Sequence, residues 1–237
     1  MYKEKMQITS NDVDQNLELK LSSLFKFLQA SASNHAESLD VGHWELFEHN
    51  LLWVVLRMEV KIYRTPILDE VITVGTHPGE ARSFIYPRFF EVYDSKGKLI
   101  IAGSSMWAMI DKNTRHVVVK PQGIKTIPAS VDKDDIPLPV KVSGEATIVK
   151  DTRRVKYSDI DLNGHLNNTQ YVAFLLDTHE PEFYKSHRIA GININFDKEI
   201  RSGQVVTLSS NDQDPEVIRG TVGDTEHFSA LITYENR

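Results

Sequence analysis

Two stretches of this chain carry the same residues in the same order, and that repetition limits the folds open to it more than any other feature. Asp12, Asp14, Asn16, Leu19, Phe27 and Leu28 return at a shift of 147 residues as Asp159, Asp161, Asn163, Leu166, Phe174 and Leu175. Further along, Glu70-Val-Ile-Thr-Val74 returns at a shift of 134 as Gln204-Val-Val-Thr-Leu208, the first copy having the longer segment between helix and first strand. Repetition on this scale points to one supersecondary unit built twice.

Periodicity predicts what that unit contains. Leu21, Leu24, Phe25 and Leu28 fall at i, i+3, i+4 and i+7, which lines one face of a helix. Short apolar and β-branched runs then predict strands at 54–63, 71–77, 84–93 and 99–110, with Asp94-Ser-Lys-Gly97 as a hairpin loop. The second half repeats the order: a helix over 166–176, then strands at 189–196, 205–210, 216–222 and 227–234. The expected class is α+β, each unit one helix packed on an antiparallel sheet. Pro121, Pro128, Pro137 and Pro139, with the charged run Asp132-Lys-Asp-Asp135, predict a linker over 121–149 between units at 1–120 and 150–237.

Composition removes several functions. With no cysteine, there is no disulfide, no zinc–thiolate site and no cysteine nucleophile. A net charge of −6 weighs against nucleic-acid binding. The opening MYKEKMQITS has no apolar h-region, and no stretch offers the roughly 18 uninterrupted apolar residues of a spanning helix, so a cytoplasmic protein is expected.

The densest polar cluster is Tyr157 to Tyr171, YSDIDLNGHLNNTQY, ahead of the second helix. Caps account for one or two such residues. They do not account for Asp161, Asn163, His165, Asn167 and Asn168 together. Asp159-x-Asp161-x-Asn163-Gly164 matches the opening of an EF-hand calcium loop, but Gln170 stands where a bidentate glutamate belongs and the preceding segment is β-like. A non-enzymatic calcium- or acyl-binding module is therefore the alternative of another class. The chemical reading is thioester hydrolysis, which needs an activated water, a donor for the oxyanion and proton management for the thiolate. Histidine is the side-chain type suited to moving protons near neutrality, and His165 is the one in the cluster. Asn163 can orient water or carbonyl, and backbone N–H groups beside Gly164 at the helix start can face an oxyanion.

These residues resemble the acyl-acyl carrier protein thioesterases, a double hot-dog family of plant plastids and bacteria, whose signature is similar to Asp161-Leu-Asn163-Gly-His165-Leu-Asn167-Asn168-Thr-Gln-Tyr171. Trp53, Arg57-Met58, Tyr63-Arg64 and the Trp107 to Arg115 stretch extend the resemblance over nearly the whole chain. It implies a tandem hot-dog fold, no cofactor, and hydrolysis of fatty acyl-acyl carrier protein to free fatty acid. An acyl-CoA thioesterase is the alternative within enzymes. It also implies an acidic residue on the first strand of the second hot-dog, which falls on Glu199. Plant members follow this glutamate with a cysteine; here Ile200 stands there, so attack falls to water, with Glu199 or Asp161 as acid/base. Many members have Gln at the place of Gly164, which suggests more room or a different backbone contact.

In the first copy Glu18 stands where the second has His165, and Thr65 where it has Glu199. That copy is expected to be non-catalytic and to shape the acyl-chain pocket, with Phe27, Leu28 and Trp53 as lining and Gly164 as a substrate contact in the second copy. An acidic carrier protein would need a local basic patch, for which Arg153, Arg154 and Lys156 are candidates, with Lys112, Arg115, Lys120 and Lys125 as a second set. The sequence is also compatible with a homodimer.

Overall fold

The computed structural model describes residues 1–119, 121–129 and 136–237. The chain divides into two compact units, one of Met1–Leu19 with Lys26–Pro139 and one of Lys20–Phe25 with Val140–Arg237. The expected charged run at 132–135, like Lys120, lies outside the described residues.

The first unit contains β1 (Tyr2–Gln7), α1 (Leu21–Ser38) from Lys26 onward, α2 (His43–Glu48), β2 (Leu51–Ile62), β3 (Val71–Pro78), β4 (Tyr86–Tyr93) and β5 (Leu99–Asp111). Its strands pair antiparallel in the order β1-β3-β4-β5-β2. The second contains β6 (Ile148–Arg154), α3 (Asn168–Leu176), α4 (Phe183–Ser186), β7 (His187–Phe196), β8 (Val205–Ser210), β9 (Glu216–Val222) and β10 (Thr225–Asn236). Its order, β6-β8-β9-β10-β7, is the same pattern. Even the register repeats: Gln7 faces Val71 and Met6 faces Ile72, while Arg154 faces Val205 and Arg153 faces Val206, the positions that the two shifts predict.

Periodicity explains the helix. Leu21, Leu24, Phe25, Leu28, Ala32 and Ala36 of α1 are all buried, one stripe at helical spacing. Ala36 packs with Val41, Leu46, Leu51 and Met109 in a satellite core of the first unit. In the second unit Tyr171 of α3 sets its ring edge-on against Phe196 and Phe228, centroids 5.3 and 4.9 Å apart. Gly220 of β9 lies opposite Phe228 of β10, and a Cβ there would meet the Phe228 ring at 1.9 Å, so only glycine admits that aromatic. The second helix starts at Asn168, two residues later than expected. Leu166 instead forms a bridge with Ile160, and the Asn167 side chain caps the helix by accepting from the Thr169 N–H at 2.9 Å.

Candidate active site

The polar cluster folds as a tight turn between a short 3-10 turn at Tyr157–Asp159 and the start of α3. Asp161 organises it. Its Oδ1 accepts the backbone N–H groups of Asn163 at 2.8 Å and His165 at 3.2 Å. Its main-chain N–H donates to the His165 carbonyl at 2.8 Å, and its carbonyl accepts from the Gly164 N–H at 3.1 Å. Gly164 holds φ at 81°, the left-handed region where glycine costs least, and nothing lies within 4 Å of the place a Cβ would take.

The first copy builds the same turn from different side chains. Asp14 Oδ1 accepts from Asn16 at 2.8 Å and Glu18 at 3.2 Å, and the Asp14 N–H donates to the Glu18 carbonyl at 2.9 Å. Leu17, at φ 61°, takes the place of Gly164. The hairpin after β4 uses the device a third time, Asp94 Oδ1 accepting from Lys96 and Lys98 around Gly97 at φ 79°. Asp161 is thus engaged as a scaffold in a manner shared by two turns that carry no histidine. The turn also spends its amides. Those of residues 163 to 167 all donate to protein acceptors, the last two to the carbonyls of Ile200 and Asp159. Closing the turn consumes these amides, and the helix start expected to face an oxyanion begins after them, at Asn168.

The imidazole of His165 is what the turn presents. Its Nε2 lies 3.0 Å from Glu199 Oε2, with the His side chain 14% and the Glu side chain 38% exposed. Opposite an ionised carboxylate, which can only accept, the nitrogen at that distance is the one to carry a proton. Glu199 is not on the strand, as expected, but in the loop after β7, which ends at Phe196. The Asp197 and Lys198 N–H groups both donate to the His227 carbonyl at 2.9 Å, which peels the chain off β10 and ends the ladder. His227 returns the contact: its Nδ1 donates to the Glu199 carbonyl at 3.1 Å. Burial lowers the pKa of His227, in keeping with a neutral ring protonated on Nδ1. His227 therefore fixes the backbone that carries Glu199, a role that a single histidine in a strand-like run does not announce. Ile200 is fully buried.

The structure brings Asp161, His165 and Glu199 together and leaves Asn163 exposed on the turn. Arg154 and Lys156 are also exposed. Arg153 is committed elsewhere, paired with Asp177 and Asp151 and lying over the Phe174 ring at 4.7 Å. Lys112 sits over the Phe47 ring at 3.6 Å, and Lys125 pairs with Asp40. β6, a strand, precedes the motif where an EF-hand needs its entering helix. Among the described residues, no group of three or more His, Asp or Glu side chains is placed to hold a metal ion. Among the described residues, no helix is long and apolar enough to cross a membrane.

The first unit contains a half-open cleft with a cavity volume of about 70 Å³. Trp53 lines it, with Ala32 and Ala36 of α1, and Tyr86, Arg88 and Trp107 of the sheet. Phe27 and Leu28 do not: Leu28 is wholly buried, and the helix wall of the cleft begins one turn further on, where small residues leave space.

Two family models match the chain in succession, the acyl-ACP thioesterase N-terminal domain over residues 1–126 and the acyl-ACP thioesterase C-terminal domain over residues 144–231. A chloroplastic acyl-[acyl-carrier-protein] hydrolase of Cuphea viscosissima is 24% identical over 99% of this chain, which spans 59% of the length of that relative. An acyl-ACP thioesterase structure from Bacteroides thetaiotaomicron superposes with a TM-score of 0.87 at 25% identity, covering 98% of this chain and 97% of its own. A putative oleoyl thioesterase from Lactobacillus plantarum does so at 0.88 and 25% identity, covering 99% and 96%. The duplicated helix-and-sheet unit is thus the tandem hot-dog, and with both of its halves matched in order by the two domains of one family, the chain belongs to the acyl-ACP thioesterases.

Proposed function

We propose that this protein hydrolyses the thioester of fatty acyl-acyl carrier protein and releases free fatty acid, by attack of water rather than cysteine. The observation that carries the reading is the 3.0 Å contact between His165 Nε2 and Glu199 Oε2, mounted on a turn and a loop that are each fixed by backbone hydrogen bonds. Glu199, partly exposed, takes a proton from water as the oxygen adds to the thioester carbonyl. His165 holds that carboxylate in place through Nε2–H. With the turn's amides spent, the Asn163 side-chain amide is the candidate oxyanion donor on the turn. Collapse of the tetrahedral intermediate breaks the C–S bond. The departing thiolate receives the proton, giving carboxylic acid and thiol.

The names of relatives such as the Cuphea hydrolase support acyl-carrier thioesters as substrates. In this reading the first unit is non-catalytic and its Trp53-lined cleft houses the acyl chain, while the cytoplasm is the compartment and the second unit does the chemistry. The test is hydrolysis of matched acyl-carrier and acyl-CoA thioesters of one chain length. A kcat/KM for the carrier substrate at least about tenfold higher is expected. A CoA substrate equal or better makes the protein an acyl-CoA thioesterase, and hydrolysis of neither by folded protein ends the enzyme reading.

Carrier docking is tested at the exposed cations. Arg154→Glu combined with Lys156→Glu is expected to raise KM for the carrier-bound substrate by roughly tenfold, as reversal of steering charge does, and to leave a short model thioester unaffected. Equal effects on both substrates would exclude this face. Arg153 is a poorer probe, because reversing it also breaks its pairing with Asp177 and its contact with Phe174.

A further inference from the structure

Arg88 occupies a position where a core residue belongs. It lies on β4, paired with Pro78 of β3 and Ser105 of β5, and shares a strand face with Phe90 and Val92, both essentially buried. The residue is 8% exposed, and it lines the cleft of the first unit. Among the described residues lining that cleft it is the only charged one; the Trp53 and Trp107 N–H groups are already given to the Val41 carbonyl and to Ser105 Oγ. Burial lowers its pKa to about 10, which leaves it protonated at neutral pH.

Its donors are divided unevenly. Nη1 donates to His35 Nδ1 at 3.1 Å and to Thr76 Oγ1 at 3.2 Å. His35 can accept because burial, and then Arg88 itself, hold its pKa at about 4 and keep it neutral. Both Nη1 hydrogens are then spent. The Nε–H and Nη2 hydrogens, the side-on edge of the guanidinium, meet no acceptor among the described residues. That edge presents two parallel N–H groups, the fork that matches the two oxygens of a carboxylate. No carboxylate among the described residues pairs with Arg88; a buried cation in that position is costly, and a carboxylate-bearing occupant would remove the cost.

We propose that the cleft receives an acyl chain carrying a second carboxylate, held side-on by Arg88, so that the substrate class extends to dicarboxylic acyl thioesters. The inference rests on the thioesterase reading above and leaves its chemistry unchanged: the second carboxylate is bound, and the thioester alone is cleaved.

The experiment compares carrier thioesters of one length whose far end is a carboxylate, the methyl ester of that carboxylate, or a hydroxyl. Wild-type protein is expected to favour the carboxylate over its methyl ester at least about tenfold in kcat/KM, with Arg88→Met bringing that ratio close to one and Arg88→Lys leaving part of it. Quenching of tryptophan fluorescence by a fatty carboxylate and by its methyl ester reads the same preference without hydrolysis, through Trp53 and Trp107 in the cleft wall. A wild-type ratio at or below one in both measurements, or a ratio unchanged in a folded Arg88→Met protein, would overturn the proposal. Should Arg88→Met not fold, wild type and Arg88→Lys decide. Loss of all thioester hydrolysis with the fluorescence preference intact would sink the enzymatic reading and leave Arg88 as the carboxylate's ligand.

Discussion

His165→Ala is expected to lower kcat for the acyl-carrier thioester by about 10²- to 10⁴-fold, the range for removal of a positioned acid–base group, with a much smaller change in KM. The variant is a clean one because the turn does not depend on the ring. The backbone N–H and C=O of His165 are both bonded to Asp161, through Oδ1 and the main-chain N–H, and neither bond involves the imidazole. Alanine therefore keeps the turn and removes only the partner that Glu199 meets at 3.0 Å. The first copy already shows that the turn tolerates another side chain, since Glu18 occupies the equivalent place with the same backbone bonds. Steady-state kinetics together with thermal denaturation are decisive: a kcat within a few-fold of wild type in a protein of unchanged Tm would make His165 structural and end the mechanism proposed here.

How much of this was legible in the sequence depended on which physical signal each element carries. Strands buried on one face announce themselves, so β8 and β9 have the bounds expected from apolar runs. β1 has alternation but little apolar character, with Lys3, Lys5 and Gln7 exposed, and it went unseen although the repeat could have placed it. α2 and α4 are too short for a periodic stripe. The site divides similarly. Asp161, Asn163 and His165 stood together as a polar cluster before a helix, whereas Glu199 is separated from them by the whole of α3 and β7 and entered only through the family resemblance. Its support from His227 depends on a loop geometry that no local pattern encodes. Phe27 and Leu28, expected to line an acyl pocket, are not among the residues lining the cleft of the first unit, because an apolar stripe marks what fills space. Empty space is made by Ala32 and Ala36, and Arg88 on a core face is a departure from pattern that reading by pattern passes over.

Asp161 and Glu199 are both carboxylates at the site, and conservative substitution separates their roles. Glu199→Gln keeps size and hydrogen-bonding oxygen but cannot take a proton, so a loss in kcat of about 10²- to 10⁴-fold is expected. Asp161→Ala should also lose activity, by a different route. It removes the oxygen that holds the Asn163 and His165 N–H groups, leaving two turn amides without their acceptor and the imidazole without its fixed base. Asn at this position retains an Oδ1 that can accept both bonds, as asparagine commonly does in such turns. Asp161→Asn is therefore expected to keep more activity and more thermal stability than Asp161→Ala. Turnover in the two Asp161 variants falling equally, with Asn restoring stability alone, would assign proton transfer to the other oxygen, Oδ2, and reduce Glu199 to a partner that orients His165. A Glu199→Gln protein with near-wild-type kcat would have the same consequence. Asp14 and Asp94 weigh against that outcome, because both hold the same two amides in turns that offer no histidine for a carboxylate to serve.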